Sequence, residues 1–489
     1  MKINKVNYVE QATPGFSFLS EDQVYQIHLA ALEVLERVGV RVDQEEARDL
    51  LINNGAYLKE NNIVKIPAHM VLDAVRSAPP RVVLSGRGGE RRLFLEKNQV
   101  YFGPGSDLPW TIDLYSGEMR RSVLQDVVNA SIVVDALSDY DFMMCYAIAT
   151  DVHHQLPYLY QFQAMVENTT KPIVFTANNG EDFMQIVEMA AEIRGGYEQL
   201  RENPFIACYH EPISPLIHSR DGTEKLLACA QYGIPAIYTP GAGAGATAPS
   251  TFAGLLTQIN AESLSGLVIH QLKSKGAPFI YGAACSSIDM KTTIMPHGAP
   301  EFAMFGALLA QMARYYELPS WSTAGNSDAV ILDQQAGLEW GFNLLMGQMS
   351  GANLVHDVGY LGTGLIGSLD SLIVCNEIIG LVRHIGKGIE INHETLALEV
   401  IERVGPGGHY VSDQHTFDHF KDEFWLPKIL NKHRYDTWKL NGGLTLGEKA
   451  VAKAKELLEN HKPVPLPIEI SEKLTDIVAK AELKFTSAG

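Results

Sequence analysis

The feature that most constrains the fold is a series of short apolar runs in the middle of the chain, each opening with proline. The runs are PIVFTANN from Pro172, PFIACYHEP from Pro204, PAIYTPG from Pro235, PFIYGAAC from Pro278 and PSWSTAG from Pro319. Proline is tolerated at the first residue of a strand because its missing N–H lies outside the ladder. Short apolar runs rich in Ile, Val, Phe and Tyr are typical of buried strands, and a segment with helical spacing follows each one.

Three further runs bring the series to eight βα units. They are VYFGPG from Val100, DFMMCYAIAT from Asp141 and ANLVHDVGYL from Ala352. Eight parallel βα units close into a (β/α)8 TIM barrel, whose active site lies at the carboxyl ends of the strands. The predicted fold class is therefore α/β. We expect an N-terminal α+β extension over 1–98, the barrel over 99–388, and a C-terminal helical extension over 389–489 packed on the barrel; Ser20 predicts the N-cap of the first helix.

Composition argues against several classes of function. The chain has 57 acidic and 39 basic residues, a net charge of −18, which disfavours nucleic acid and anionic membrane as partners. The five cysteines are scattered and form no CxxC motif, so we expect reduced thiols in the cytoplasm rather than disulfides or a zinc site. The first residues contain no apolar signal-peptide core, and no apolar stretch is long enough to cross a bilayer.

The predicted strand ends are rich in aromatic rings and poor in cations, the nearest lysine being Lys291. Aromatic faces attract quaternary ammonium groups, by about 2 kcal/mol or more for a desolvated contact. We therefore expect a pocket for a cationic, permethylated ligand; the alternative is that these rings are only barrel core. The candidate substrate-binding residues are Phe102, Tyr146, Phe175, His210, Tyr238, Tyr281, Trp321, His356 and Tyr360, and the candidate catalytic residues are Glu211 and Asn326.

Other barrel chemistries fit the strand ends less well. His210-Glu211 and His356-Asp357 offer metal-ligand types, but neighbouring residues on a strand point to opposite faces, so no metal is expected there. A metal-dependent hydrolase remains an alternative. No lysine ends a predicted strand, which disfavours Schiff-base chemistry. The tail carries a further cluster, for which zinc binding stays open and hydrogen-bonded packing is favoured: His409, Asp413, His415, Asp418 and His419.

Several separated motifs give the chain a resemblance to a known family. They include LSEDQVYQIHLAALEVLERVGVRV, IPAHMVLDAVRSAPPRVVLSGR, STAGNSDAVILDQQAG, GPGGHYVSDQHTFDHFKDEFW and YDTWKLNGG, in order along nearly the whole chain. On these motifs the sequence resembles the trimethylamine methyltransferase superfamily, in its subgroup without pyrrolysine. The resemblance implies a (β/α)8 barrel that moves a methyl group from a methylamine to the Co(I) of a corrinoid held by a small partner protein.

The resemblance also bears on the substrate. Members with pyrrolysine use trimethylamine and carry the special residue on a late barrel strand, near Gly325-Asn326 here, where this chain has ordinary residues. A quaternary ammonium that loses a methyl group leaves as a neutral tertiary amine, whereas free trimethylamine would first have to be made cationic. A betaine is thus implied, glycine betaine first. Proline betaine, carnitine and γ-butyrobetaine are alternative donors, and a quaternary-ammonium binding protein without turnover is an alternative class.

Within this hypothesis, the rings and Glu211 cradle the ammonium group, and His210, His356 or Asn326 donates hydrogen bonds to the substrate carboxylate. Proximity and orientation would supply much of the acceleration. We expect no tightly bound cofactor, because the corrinoid (cobalamin) that accepts the methyl group is carried by a cognate corrinoid protein, and we expect methyl transfer to need no metal. The resemblance also implies a homo-oligomer.

Overall fold

The computed structural model describes residues 16–90 and 92–486. Its strands are β1 (Val40–Val42), β2 (Tyr57–Leu58), β3 (Ile63–Lys65), β4 (Val82–Ser85), β5 (Arg92–Leu95), β6 (Tyr101–Pro104), β7 (Trp110–Ile112), β8 (Met119–Arg121), β9 (Ile173–Phe175), β10 (Ile206–His210), β11 (Ile217–His218), β12 (Ala236–Tyr238), β13 (Gly241–Ala244), β14 (Phe279–Gly282), β15 (Ala284–Ser287), β16 (Ser320–Thr323), β17 (Leu354–Val358) and β18 (Ile366–Ser368). Its helices are α1 (Glu21–Arg37), α2 (Glu45–Asn53), α3 (Ala68–Ser77), α4 (Leu124–Ala136), α5 (Pro157–Asn168), α6 (Gly180–Arg194), α7 (Tyr197–Glu202), α8 (Arg220–Tyr232), α9 (Phe252–Lys273), α10 (Pro300–Tyr315), α11 (Gln334–Ser350), α12 (Leu369–Lys387), α13 (Leu398–Val404), α14 (Gln414–Glu423), α15 (Tyr435–Leu440), α16 (Leu446–Asn460) and α17 (Ile468–Thr486).

Seven strands form one curved parallel sheet at the centre of the fold, in the order β6, β17, β16, β14, β12, β10, β9. Each of them lies in one of the predicted runs, so the α/β class and these strands are confirmed. The prolines stand just before their strands, where their carbonyls still serve the ladder. The carbonyl of Pro235 accepts from the N–H of Cys208, and that of Pro278 from the N–H of Ala236, both at 3.0 Å.

The eighth predicted run, which starts at Asp141, forms no regular strand. Its backbone nevertheless bonds to both edges of the sheet. The N–H of Asp141 donates to the carbonyl of Phe102 on β6 at 2.7 Å, and the N–H of Met143 donates to the carbonyl of Pro172, before β9, at 2.8 Å. The segment 141–146 therefore lies between the two outermost strands of the sheet.

The two faces of the sheet pack against different sets of side chains. The inner set contains Tyr101, Phe142, Met144, Val174, Ala207, Ile237, Ile280, Trp321 and Leu354, together with apolar side chains of the β4–β5 hairpin. The outer set, between strands and helices, contains the sequence neighbours of several of these, including Phe102, Met143, Phe175, Cys208, Tyr238, Tyr281 and Val355. Because both faces are buried, the strands read as continuous apolar runs instead of alternating ones. The face on which a strand-end side chain lies decides whether it can meet a substrate.

The flanking segments differ in how well they are covered. Ser20 caps α1 as predicted, in a capping box with Gln23. Helix α1 packs on α9, α16 on α12 and α4, and α17 on α5 and α6. By contrast, α13, α14 and α15 contain no buried residue. Among the helices described, none combines the length and the apolar character needed to cross a membrane.

Candidate active site

A concave cluster of polar and aromatic side chains lies on the inner face of the sheet, at the carboxyl ends of the strands. Tyr209 and Glu211 are two residues apart at the end of β10, so they share this face. The Tyr209 hydroxyl donates a hydrogen bond to the Glu211 carboxylate. The cluster, called the mouth below, consists of Asp107, Tyr209, Glu211, Trp321, Asn326, His356, Asp357 and Tyr360.

The Glu211 carboxyl is accessible to solvent and yet surrounded by protein, as expected for a group inside a concavity. This partial removal from bulk water raises its pKa above the ordinary value of glutamate, and the charge of Asp357 adds to the increase. The hydrogen bond from Tyr209 and the imidazole of His356 oppose it. A cation bound beside Glu211 would stabilise the ionised carboxylate, so the site is matched to a positively charged ligand.

Three rings form the floor of the mouth. The Trp321 and His356 rings lie 4.3 Å apart between centroids at 30°, and the Tyr209 ring lies 5.5 Å from Trp321 and 5.7 Å from His356. Trp321 is completely buried, whereas Tyr209 is half-buried. In the described part of the chain, Nε1 of Trp321 and Nε2 of His356 have no hydrogen-bond partner. Unpartnered buried donors of this kind are costly unless a ligand uses them.

Asp357 and Asn326 complete the side of the mouth at the end of β17. Asp357 has a left-handed backbone, with φ of 71°, which costs about 1–3 kcal/mol for a residue other than glycine and is characteristic of functional sites. Its Oδ1 lies 2.7 Å from Nδ1 of His356, and its Oδ2 lies 3.4 Å from Nδ2 of Asn326. Asn326 is fully buried, and its Oδ1 is unpartnered among the residues described.

Tyr360 forms the wall between this side and Asp107. Its hydroxyl donates to the carbonyl of Ser106 and accepts from the N–H of the same residue. Asp107 lies 3.3 Å from the Sγ of Cys145, and burial raises the pKa of its carboxyl. Asp107 and Glu211 are thus two carboxyl groups whose pKa values are raised by burial, as is common where charge is used for binding or catalysis.

Tyr146, a predicted substrate-binding residue, supports the mouth from outside it. Its ring lies 6.4 Å from that of Tyr360. Its hydroxyl lies 2.9 Å from the carbonyl oxygen of Gly359 and 2.9 Å from the hydroxyl of Ser371. A hydroxyl bonded in this way holds the loop after β17, and its hydrogen-bonding capacity is already used.

The structure corrects the expected position of four predicted rings, which lie on the outer face of the sheet. Phe102 and Phe175 pack among the helices, Phe102 beneath Arg383 at 5.4 Å and Phe175 beside Phe162 and Phe183. The hydroxyl of Tyr238 lies 2.6 Å from Nδ1 of His218, and that of Tyr281 donates to Oδ1 of Asn260 at 2.9 Å. Side chains alternate between the two faces along a strand. At these four positions the alternation directs the ring toward the helices, so the rings lie in the core between the sheet and the helices.

His210 is corrected in the same way. It alternates with Tyr209 and Glu211 along β10, so its ring faces the helices and lies 5.2 Å from the Tyr238 ring. Tyr209, which the sequence-based set of site residues omitted, takes the place at the mouth. The signal was present in the sequence, since residues 209 and 211 must share a face once Glu211 is placed inside.

A lysine that the sequence analysis did not consider acts on the mouth. Burial raises the pKa of Glu211, and the charge of Lys225 on α8 opposes part of that increase; the Nζ of Lys225 donates to the carbonyl of Ala177 at 2.6 Å. Lys291, the expected nearest lysine, lies in an exposed turn capped by Asp289. Helix α8 follows the strand that carries Glu211, which is why a helix residue rather than a loop residue reaches this side.

Three residues of the tail cluster, Asp413, His415 and His419, make capping, ion-pair or ring contacts. Asp413 caps α14 and pairs with Arg403 at 2.8 Å. The rings of His415 and His419 lie 4.3 Å apart. Over residues 16–90 and 92–486, this cluster does not bring three ligand atoms together as a metal would require; a different group does so and is described below.

Comparisons with known proteins relate the whole chain to one family. The family model for trimethylamine methyltransferase (MTTB) matches residues 1–486. The chain is 33% identical over 475 residues to trimethylamine methyltransferase MttB of Desulfitobacterium hafniense (strain DSM 10664 / DCB-2), covering 96% of this chain and 95% of that protein. It is 31% identical over 472 residues to glycine betaine methyltransferase of Desulfitobacterium hafniense (strain Y51), covering 96% and 98%. The crystal structure of the Methanosarcina barkeri monomethylamine methyltransferase (MtmB) is similar in fold, with a TM-score of 0.50 and 13% identity over 94% of this chain and 98% of that chain.

Proposed function

Because the chain belongs to the trimethylamine methyltransferase family, we propose that it transfers a methyl group from a quaternary amine to the Co(I) of a corrinoid protein. Glycine betaine is the proposed donor. The relatives named above divide between trimethylamine and glycine betaine at nearly equal identity, 33% and 31%. The choice of donor therefore depends on the chemistry of the mouth.

The observation that supports a quaternary amine is the pairing of Glu211 with aromatic rings in a concave site. The Tyr209 ring and the Glu211 carboxylate adjoin through their hydrogen bond, and the His356 ring lies 5.7 Å from Tyr209. A trimethylammonium group has no N–H to donate, so it is recognised by faces of rings and by negative charge. Both are present on one side of the mouth.

The far end of a betaine would meet hydrogen-bond donors. Nε2 of His356 and Nδ2 of Asn326 lie on the Asp357 side of the mouth, and both side chains are buried. One or both would donate to the substrate carboxylate, which would supply the partner that Nε2 of His356 lacks among the described residues. We keep Glu211 and Asn326 as the residues that position the donor for methyl transfer.

The reaction proposed is an in-line displacement at a methyl carbon. The C–N bond of the ammonium group breaks, the nitrogen keeps the electron pair and leaves as a neutral tertiary amine, and the methyl group passes to the cobalt. The corrinoid belongs to the partner protein, which would dock over the mouth so that cobalt and methyl can meet. The protein's own contribution is to hold and orient the donor, and we propose that this step needs no metal.

We further propose that the sheet and the segment 141–146 act together as a complete (β/α)8 barrel. The backbone bonds of this segment to both outer strands support that interpretation. In such barrels the carboxyl ends of all eight units surround one site. Asp107 and Glu211 would then face each other across a single closed mouth.

The direct test is to mix the purified protein with cob(I)alamin under strict anoxia and to follow the Co(I) absorbance. We expect glycine betaine to consume Co(I) and to release dimethylglycine in equal amount, and trimethylamine to have no effect. Consumption with trimethylamine alone would contradict the quaternary-amine proposal. If proline betaine, carnitine or γ-butyrobetaine consumes Co(I) and glycine betaine does not, that compound is the donor instead. Saturable betaine binding without turnover, even with the cognate corrinoid protein, would identify a binding protein instead.

We also propose a homo-oligomer in the cytoplasm, with a second copy of this chain covering the segment 389–444. Helices α13–α15 in this segment have no buried residue, and Val411 and Leu440 are 88% and 86% exposed. Apolar surface of this extent marks an interaction site. The corrinoid protein must leave after each transfer, so it cannot provide the permanent cover that such helices need, whereas an obligate interface can.

The oligomer is tested by light scattering coupled to size exclusion. We expect Val411→Asp and Leu440→Asp to lower the assembly state at micromolar concentration, because each places a charge in the apolar contact. Tyr57→Asp is the control, since Tyr57 is 68% exposed on β2, outside this segment. A monomeric parent protein, or tail variants with unchanged mass, would refute the assignment.

A further inference from the structure

A second group of reactive side chains lies behind the mouth, on the outer face of β10. Cys208 and His210 are two residues apart on the strand, and Cys229 faces them from α8. One ligand atom from each lies within 4.8 Å of the others, and all three residues are buried. In the described part of the chain, no other His, Cys, Asp and Glu residues form such a group.

The hydrogen bonding of the His210 imidazole is incomplete, unlike that of His218. His210 is 2% exposed, and neither ring nitrogen has an oxygen or nitrogen partner in the described structure; its polar neighbour is the Cys208 thiol. His218, equally enclosed, uses both nitrogens: Nδ1 lies 2.6 Å from the Tyr238 hydroxyl and Nε2 lies 2.8 Å from the Ser265 hydroxyl. A buried polar group without a partner costs about 1–3 kcal/mol, and a metal ion bound to the imidazole would remove that cost.

We propose that Cys208, His210 and Cys229 bind a structural Zn²⁺ ion. Thiolate sulfur and imidazole nitrogen are the ligands zinc prefers, at about 2.3 and 2.0 Å, which places ligand atoms of a tetrahedral site about 3.5–4 Å apart. A group already within 4.8 Å needs only small side-chain shifts to reach that geometry. A water molecule would take the fourth position, because no further His, Cys, Asp or Glu ligand atom of the described residues lies within the same distance of all three.

The ion would have a positioning role rather than a catalytic one. It would lie on the face of β10 opposite Tyr209 and Glu211, screened from the mouth by the strand itself. By joining β10 to α8, it would fix the strand that carries Glu211. Structural zinc contributes its binding free energy to folding, so the inference is independent of the methyl donor and compatible with metal-free methyl transfer.

The first test is the metal content of the full chain, purified anaerobically with its affinity tag removed. We expect about one zinc per chain by plasma mass spectrometry. After zinc removal and refolding with Co²⁺, we expect thiolate-to-cobalt charge transfer and the intense visible bands of a tetrahedral ion. The absence of stoichiometric metal, both as isolated and after refolding with zinc, would overturn the proposal. So would a thiol count showing a disulfide between Cys208 and Cys229.

Matched variants locate the ion. Cys229→Ser and His210→Gln should lose the metal and the cobalt charge-transfer band, whereas Cys375→Ser, at a fully buried cysteine on α12, should keep both. Retention of full metal by the two cluster variants would refute the assignment. If either variant fails to fold, the zinc content and the cobalt spectrum of the parent protein decide the question alone.

Discussion

Glu211→Gln should lower kcat/KM for glycine betaine about 30-fold, mainly by raising KM. The substitution keeps the shape of the side chain and its bond from Tyr209 but removes the negative charge beside the ammonium site. Removing one charge from a desolvated pair costs about 2 kcal/mol or more, and about 1.4 kcal/mol corresponds to a factor of ten. The rate of Co(I) consumption at varied glycine betaine concentration measures it.

A matched control separates this effect from general electrostatics. Glu224 on α8 is a carboxylate that pairs with Arg220 on the surface, so Glu224→Gln should leave KM unchanged. If Glu211→Gln and His356→Ala both retain full turnover at low betaine, the assignment of the mouth is wrong. This would leave the zinc inference intact, because that rests on the other face of β10.

The pH profile gives an independent readout of the same carboxyl group. Burial raises the pKa of Glu211, so the group becomes neutral at a higher pH than an ordinary glutamate does. As the pH falls through this raised pKa, the attraction for the ammonium group is lost and KM rises. Glu211→Gln has no such proton to gain, so its KM should stay constant over the same range. A wild-type KM that does not change on acidification would contradict the role of Glu211.

The sequence predicted the fold better than the orientation of its residues. Proline before five of the seven strands marked the sheet, because proline has no N–H to donate and is tolerated where a strand begins. The same runs are apolar on both faces, so they carry no signal of which residues point inward. Phe102, Phe175, Tyr238 and Tyr281 were placed at the mouth for this reason, and each proved to be on the helix side.

The sequence was enough to work out which face of the sheet each side chain of β10 lies on. Once Glu211 is taken as inward, Tyr209 is inward, and Cys208 and His210 are outward. The lack of a CxxC motif did not exclude a metal site, because Cys-x-His on a strand places two ligands on one face. Cys229 could not have been added, since its position depends on how α8 packs against the strand.

Gly105→Ala should reduce turnover about 100-fold, because it removes the wall of the mouth. The glycine lies directly beneath the Tyr360 ring, where an added methyl group would overlap the ring carbons and the hydroxyl. The ring would have to leave its place, together with its two hydrogen bonds to Ser106. Misplacement of a substrate by about 1 Å can cost about 100-fold in rate, and Tyr360 separates the Asp357 side of the mouth from Asp107.

Gly341→Ala on α11 is the matched control, because nothing lies within 4 Å of the methyl group it adds. In a helix that change should raise stability by about 0.4–1 kcal/mol through the unfolded chain and leave turnover unchanged. Measuring turnover together with the free energy of unfolding from chemical denaturation distinguishes an effect on the mouth from an effect on stability. Full turnover by Gly105→Ala would mean that the position of Tyr360 does not affect binding of the donor. The residues proposed to bind the donor would then be limited to Glu211 and His356.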